Sequence, residues 1–206
     1  MNLGICLVGI SHLVHNNRYP ISRSYKTCYD NYKTEIYDPL SKKFKIKTYL
    51  TTYFSEEIQN IINVYNPENC TILKLEKSHQ ISTFLKCIEQ VYYEDLDYLL
   101  FTRFDIFFEK NALKNLTFDL QKINILCKEK GYWESHNFVN DCFYFLPRNL
   151  LVDLKYACND LYKNPPRPGL MDMHGLYKFL STDKVNFLTD EHHLSSGNSM
   201  YSLKRL

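Results

Sequence analysis

Glycine is scarce in this chain, six among 206 residues, and none stands in a G-x-G-x-x-G arrangement behind an apolar run. The turn with which a β-α unit receives a dinucleotide pyrophosphate is therefore missing. The P-loop lysine motif and the G-x-S-x-G nucleophile elbow are missing as well, so dehydrogenase, P-loop kinase and α/β-hydrolase readings lose their sequence support. The chain also lacks an excess of charge. Lys plus Arg number 25 against 23 for Asp plus Glu, a net charge of +2, which gives no electrostatic reason to expect nucleic acid or a membrane surface as partner. No stretch approaches the roughly 20 apolar residues of a membrane span. The apolar run from Leu3 to Ile10 has neither a basic flank nor a small-residue cleavage site, so it makes a poor signal peptide and a cytoplasmic protein is expected. The seven cysteines are odd in number and form no C-x-x-C pair, which reads as scattered reduced thiols rather than a zinc or redox site. There is no internal repeat and no low-complexity linker.

What is present is an ordinary globular composition, 45% hydrophobic and 23% charged, in a length that suits one domain over 1–206. Its halves differ. Over 1–110 apolar runs alternate with helical patterns: a buried strand from Leu3 to Ile10, a helix from about Ile21 to Tyr37 behind Pro20, and a strand from Phe44 to Tyr53. A helix capped by Ser55, a strand from Cys70 to Leu75 and a helix from Ser78 to Tyr93 follow. The last carries Ile81, Phe84, Leu85 and Ile88 at helical spacing. Such alternation predicts an α/β protein with a mostly parallel sheet. The half over 111–206 is less regular, with short strands near Lys122 to Cys127 and Asp141 to Leu146 and helices over Asn149 to Tyr162 and Met171 to Leu180.

The fourth apolar run, Tyr98 to Phe108, is the most informative. It takes up Arg103 and Asp105 only near its far end. A strand buried on both faces reads as such a run, and ligands of α/β sheets bind beyond the carboxyl ends of strands. Alternation along a strand predicts that Arg103 and Asp105 point the same way. They either face a ligand or form a salt bridge that closes the end of a core strand.

Thr102-Arg103-Phe104-Asp105 at the end of a βαβαβα half, followed by an irregular half, resembles the GT-A class of nucleotide-sugar glycosyltransferases. It is similar in particular to small enzymes of capsule, lipopolysaccharide and large-virus glycan synthesis. The resemblance implies a GT-A-like, Rossmann-type fold. It also implies a transferase that moves a monosaccharide from a nucleoside-diphosphate sugar to a glycan or other hydroxyl acceptor, with Mn²⁺ or Mg²⁺ steadying the leaving diphosphate. Asp105 is then the metal-ligand candidate, with His193 or its neighbour His192 completing the shell. The usual signature of the class is Asp-x-Asp, and its first position here is Arg103, which could instead meet the diphosphate directly. A literal Asp-x-Asp, Asp95-Leu96-Asp97, precedes the strand and so belongs to the wrong end of the sheet.

On the same resemblance the nucleotide lies across the first two strands. Gly9 and Ser11 allow close approach, Thr51, Thr52 and Tyr53 offer hydroxyls and a ring, Arg18 or Arg23 reaches phosphate, and Gln80 sits at a helix start. Asp141 and Glu191 are the candidate general bases toward the acceptor, with Asp172 and His174 as weaker acceptor-site candidates. Trp133, the single tryptophan, suits either sugar stacking or the core. Two other readings stay open: a nucleotide- or glycan-binding domain without catalysis, and a sugar-nucleotide nucleotidyltransferase.

Overall fold

The computed structural model describes residues 1–10, 12–13, 23–74, 79–114, 116–166, 172–190, 192–193 and 201–203. Among them the chain runs through β1 (Asn2–Gly9), the two-residue strands β2 (His12–Leu13) and β3 (Arg23–Ser24), and α1 (Lys26–Tyr32). A π-helical turn, Lys33–Tyr37, leads into α2 (Asp38–Ser41). Then come β4 (Lys45–Tyr53), α3 (Ile58–Tyr65), β5 (Asn69–Leu73), α4 (Gln80–Val91), β6 (Tyr98–Arg103) and β7 (Ile106–Phe108). The later part contributes β8 (Ile123–Ile125), β9 (Lys128–Glu129), α5 (Trp133–His136), β10 (Phe143–Pro147) and α6 (Leu151–Lys163). It closes with a 3₁₀ helix His174–Phe179, β11 (Val185–Phe187), β12 (His192–His193) and β13 (Tyr201–Leu203).

Seven strands form one sheet in the order β11-β8-β10-β6-β1-β4-β5. It is mostly parallel; β10 alone runs against both of its neighbours. β1 lies near the middle because it is apolar on both faces. Leu3, Ile5 and Leu7 join one core cluster, and Cys6 and Val8 join the other. Gly4 is required by contact: a Cβ there would stand 2.7 Å from Leu96 Cδ1.

Helix α4 buries Ile81, Phe84, Cys87, Ile88 and Val91, a stripe at helical spacing, and with α6 covers one face of the sheet. α1, its π-helical extension and α3 cover the other face with Tyr25, Tyr32, Ile36, Ile61 and Tyr65. No helix of the described residues is long and apolar enough to cross a membrane. All seven cysteines are free, and six of them are buried.

The fold expected from the sequence is thus present, with four local differences. The fourth strand ends at Arg103, not at Phe108. β1 stops at Gly9 and β10 starts at Phe143, so no ladder partner exists beyond that level. The chain turns at Phe104 and Asp105, and β7 pairs with β13 instead. Ser55 does not cap α3, whose N-cap position is Glu57 and which receives no side-chain cap. The expected helix over Met171 to Leu180 is a 3₁₀ helix from His174 to Phe179. Finally, the helix expected from about Ile21 is described only from Lys26: residues 21 and 22 lie outside the described residues, and Arg23–Ser24 pair with His12–Leu13 as β3.

Candidate active site

Strand order sets where a ligand can enter. From β1 the chain moves outward to β4 and β5 by way of α1 and α3 on one face. It then returns by α4 on the other face to β6, on the opposite side of β1. The carboxyl ends of β1 and β6, paired at Val8 and Arg103, form the switch point at which such sheets open a crevice. β1 ends there at Gly9, whose φ of +102° strongly favours glycine, and the position of a Cβ is open space for 4 Å around.

Because β10 is antiparallel to β6, with Phe143 opposite Thr102, the residues just before β10 arrive at this same edge. Asp141 is thereby placed against Arg103, 38 positions apart in sequence. Arg103 donates from Nε to Asp105 Oδ1 at 2.9 Å and from Nη2 to Asp105 Oδ2 at 2.7 Å. Its Nη1 donates to Asp141 Oδ2 at 2.9 Å. Three of its five N–H groups are engaged in this way. Gln80, the first residue of α4, donates from Nε2 to Asp141 Oδ2 at 2.6 Å and accepts the Met173 backbone N–H at 3.0 Å. His174 brings Nε2 to 3.7 Å from Asp141 Oδ2 and Nδ1 to 3.1 Å from Glu129 Oε2. The Cys142 thiol donates to Asp141 Oδ1 at 3.2 Å.

Burial gives this cluster its electrostatic character. Asp105 and Asp141 are 4% and 3% exposed. Burial would raise the Asp141 carboxyl, but Arg103, His174 and the hydrogen bonds from Gln80 and Cys142 hold it well below the usual carboxylate range. Burial would likewise push the His174 imidazolium down, yet Asp141 and Glu129 raise it to about 9. Asp172, whose Oδ1 accepts the His174 backbone N–H at 3.1 Å, is shifted upward by burial despite His174 beside it.

The structure therefore brings Arg103, Asp105, Asp141, Gln80 and His174 together, and the i,i+2 salt bridge between Arg103 and Asp105 is formed. Thr51, Thr52 and Tyr53 are not brought to the cluster. All three are buried, Thr51 Oγ1 donating to Gln90 Oε1 at 3.1 Å and the Tyr53 hydroxyl lying 2.5 Å from Thr83 Oγ1. Ser11, Arg18 and Glu191 lie outside the described residues, and of His193 only the strand position is described. Asp97 sits at the amino edge, where its carboxylate accepts the Asn2 backbone N–H at 2.6 Å. Trp133 packs on Tyr177 and Phe187, with Lys128 Nζ 4.8 Å above its ring. Its face is thus covered.

One residue at the edge was missed. Phe54, directly after β4, is 68% exposed. No local signal marked it: β4 is buried on both faces from Thr48 to Tyr53, so alternation alone does not turn the next residue outward.

The described residues do not fit a divalent metal. No group of three ligating side chains is formed among them. Both oxygens of Asp105 and one of Asp141 face a guanidinium, the Arg103 cation occupying the space between the two carboxylates.

No protein-family model matches the sequence, and no curated protein matches it. Among solved structures the chain is similar to an active-site mutant of LgtC, with a TM-score of 0.52 and 12% identity over 91% of this chain and 72% of that one. It is similar also to the galactosyltransferase LgtC in complex with donor and acceptor sugar analogues, with a TM-score of 0.50 and 11% identity over 91% of this chain and 73% of that one. At this identity the likeness shows the fold, which is GT-A.

Proposed function

We propose that the protein is a glycosyltransferase that takes a monosaccharide from a nucleoside-diphosphate sugar and passes it to a glycan hydroxyl. The observation that carries the reading is the Arg103–Asp105–Asp141 cluster at the switch point of a GT-A sheet. A leaving diphosphate needs its developing charge neutralised, and fixed cations in a water-poor site do this effectively. In this reading Arg103 supplies that charge. Two of its N–H groups have no described partner, and its side chain is 13% exposed at the crevice. Asp105 and Asp141 hold the guanidinium in one orientation, as a bidentate pair and a third bond. The expected Mn²⁺ or Mg²⁺ has no step in this scheme.

The donor lies with its base toward β4 and its phosphates toward β6. Those strands are two spacings apart, about 10 Å, a span that a nucleoside diphosphate covers from base to phosphates. Phe54 offers an exposed ring for the base at the β4 end, and Gly9 leaves room between. Asp141 was a candidate general base, but a carboxylate held far below its ordinary range is a weak proton acceptor. Asp172, raised by burial and only partly exposed, suits that role better. Gln80 and His174 position Asp141 rather than touch the sugar.

The test is a thermal-shift screen of nucleoside diphosphates and nucleotide sugars, with EDTA and with Mn²⁺, followed by product analysis on a glycan panel. A ligand at 100 times its Kd stabilises by about 2.7 kcal/mol. Stabilisation and sugar release in EDTA support the reading. A second reading, a binding domain without catalysis, is favoured by the engagement of both carboxylates with Arg103. Saturable nucleotide-sugar binding with neither hydrolysis nor transfer would establish it.

A further inference from the structure

A cavity of about 290 Å³ opens on the sheet face covered by α1 and α3, against the amino half of β4. It shares no lining residue with the Arg103 cluster. Its walls come largely from four tyrosines, Tyr29, Tyr32, Tyr37 and Tyr65. Tyr29 and Tyr32 stand on α1, Tyr37 on the π-helical turn Lys33–Tyr37 that extends it, with the Asp38 N–H bonded to the Lys33 carbonyl, and Tyr65 comes from α3. Single π turns inside helices occur frequently at functional sites.

The cavity is polar where a packing gap would be apolar. Tyr32 is 6% exposed, and its hydroxyl has no partner at ordinary hydrogen-bond geometry among the described residues, Thr48 being the group beside it. Buried hydroxyls are normally paired, so a ligand that supplies the missing partner completes the site.

Three properties of the lining select the ligand. The rings stand at angles to one another: Tyr29 and Tyr65 at 86° with centroids 5.0 Å apart, Tyr32 and Tyr65 at 56°, Tyr32 and Tyr37 at 58°. They form no parallel slot for a planar base, whereas angled walls receive the C–H faces of a puckered ring. Lys33 is held by Asp38 at 2.9 Å and Glu68 is the acid of the lining, so a phosphate is not selected. Thr48, Asn66 and Glu68 add groups that pair with hydroxyls.

We propose that this cavity is a binding site for a neutral saccharide, one or two rings of a glycan, separate from the site of transfer. Its volume lies at the small end of ligand pockets. The proposal does not depend on the transferase reading.

The test is a titration followed by NMR on protein with labelled tyrosine rings. The probes are methyl β-glucopyranoside, methyl β-galactopyranoside, methyl α-mannopyranoside and lactose, with uridine as the comparison. At least one saccharide should give saturable shifts at Tyr29, Tyr32 and Tyr65. Tyr32→Phe should weaken it by about fivefold or more, the loss of one hydrogen bond, without lowering the melting temperature. Arg103→Lys, at the sheet edge, should leave saccharide binding here unchanged. Absence of saturable shifts up to the solubility of every saccharide would overturn the proposal. So would equal binding by Tyr32→Phe, or uridine as the ligand of the cavity.

Discussion

His174 gives the most direct experimental handle on the buried cluster. In the folded protein its imidazolium is held at about 9 by Asp141 and Glu129, against burial that opposes the charge; an unfolded histidine titrates near 6.5. The folded pKa is the higher one, so the stabilisation is complete below about pH 6.5 and is lost as pH rises through about 9. The difference of about 2.5 units corresponds to about 3 kcal/mol. For a chain of this size that amounts to a fall in melting temperature of about 6–12 °C over the window. The groups facing the ring are Asp141 at 3.7 Å, Glu129 at 3.1 Å, the Val139 carbonyl at 3.0 Å and the nearby Asp172. Asp141 works in the other direction. Its carboxyl is lowered on folding, so its contribution is present above the ordinary carboxylate range and lost in acid, outside this window. Thermal melts from pH 6 to pH 7.5, below the pH of about 8.5 at which unfolded thiols titrate, should show the first part of the decline in the wild type. His174→Gln should be less stable at pH 6 and nearly flat. A ring resonance titrating near 6.5, or an equal slope in the variant, would refute the assignment of charge in the cluster.

Arg103→Lys keeps a cation but loses the fork that grips Asp105, so it should weaken nucleoside diphosphate binding at least tenfold and bare nucleoside binding little, as read by calorimetry. Asp172→Asn should cut transfer by about 10²–10⁴-fold with donor affinity near wild type, whereas Asp141→Asn should weaken donor binding itself, because it releases one side of the guanidinium. Near-normal transfer by Asp172→Asn would remove it as the base. Phe54→Ala should weaken nucleoside and nucleoside diphosphate alike by about 1–3 kcal/mol, the range for base–aromatic stacking, and equal affinity would place the base elsewhere. Asp97→Asn, at the amino edge, should leave turnover untouched and lower stability by about 1 kcal/mol through its bond to the Asn2 N–H.

The site was only partly legible in the sequence because its members act over different ranges. Arg103 and Asp105 are two residues apart, so strand alternation alone put them on one side, and in the structure they bind each other. That same proximity concealed the outcome: local pattern cannot tell a carboxylate awaiting a ligand from one already engaged. Gln80 was placed at a helix start, and its bond to Asp141 spans 61 positions. The hydroxyls of Thr51 and Tyr53 looked available because polar residues at a strand's end usually face solvent, but α4 packs over them and Gln90 and Thr83 take the bonds.

By itself the sequence determined the elements and the sheet's character, because apolar runs and helical stripes are local periodicities that burial must satisfy. β1, β4, β5, α4 and β6 follow from it, as does the placement of Arg103 at a carboxyl end. Only the tertiary structure decided that β10 runs antiparallel beside β6 and delivers Asp141 to Arg103, and that His174 shares a proton's charge between Asp141 and Glu129. It alone decided that four tyrosines around a π turn leave a polar cavity on the far face. The reason is physical: strand order and the meeting of distant side chains depend on how whole faces pack, and no local period in the chain encodes them.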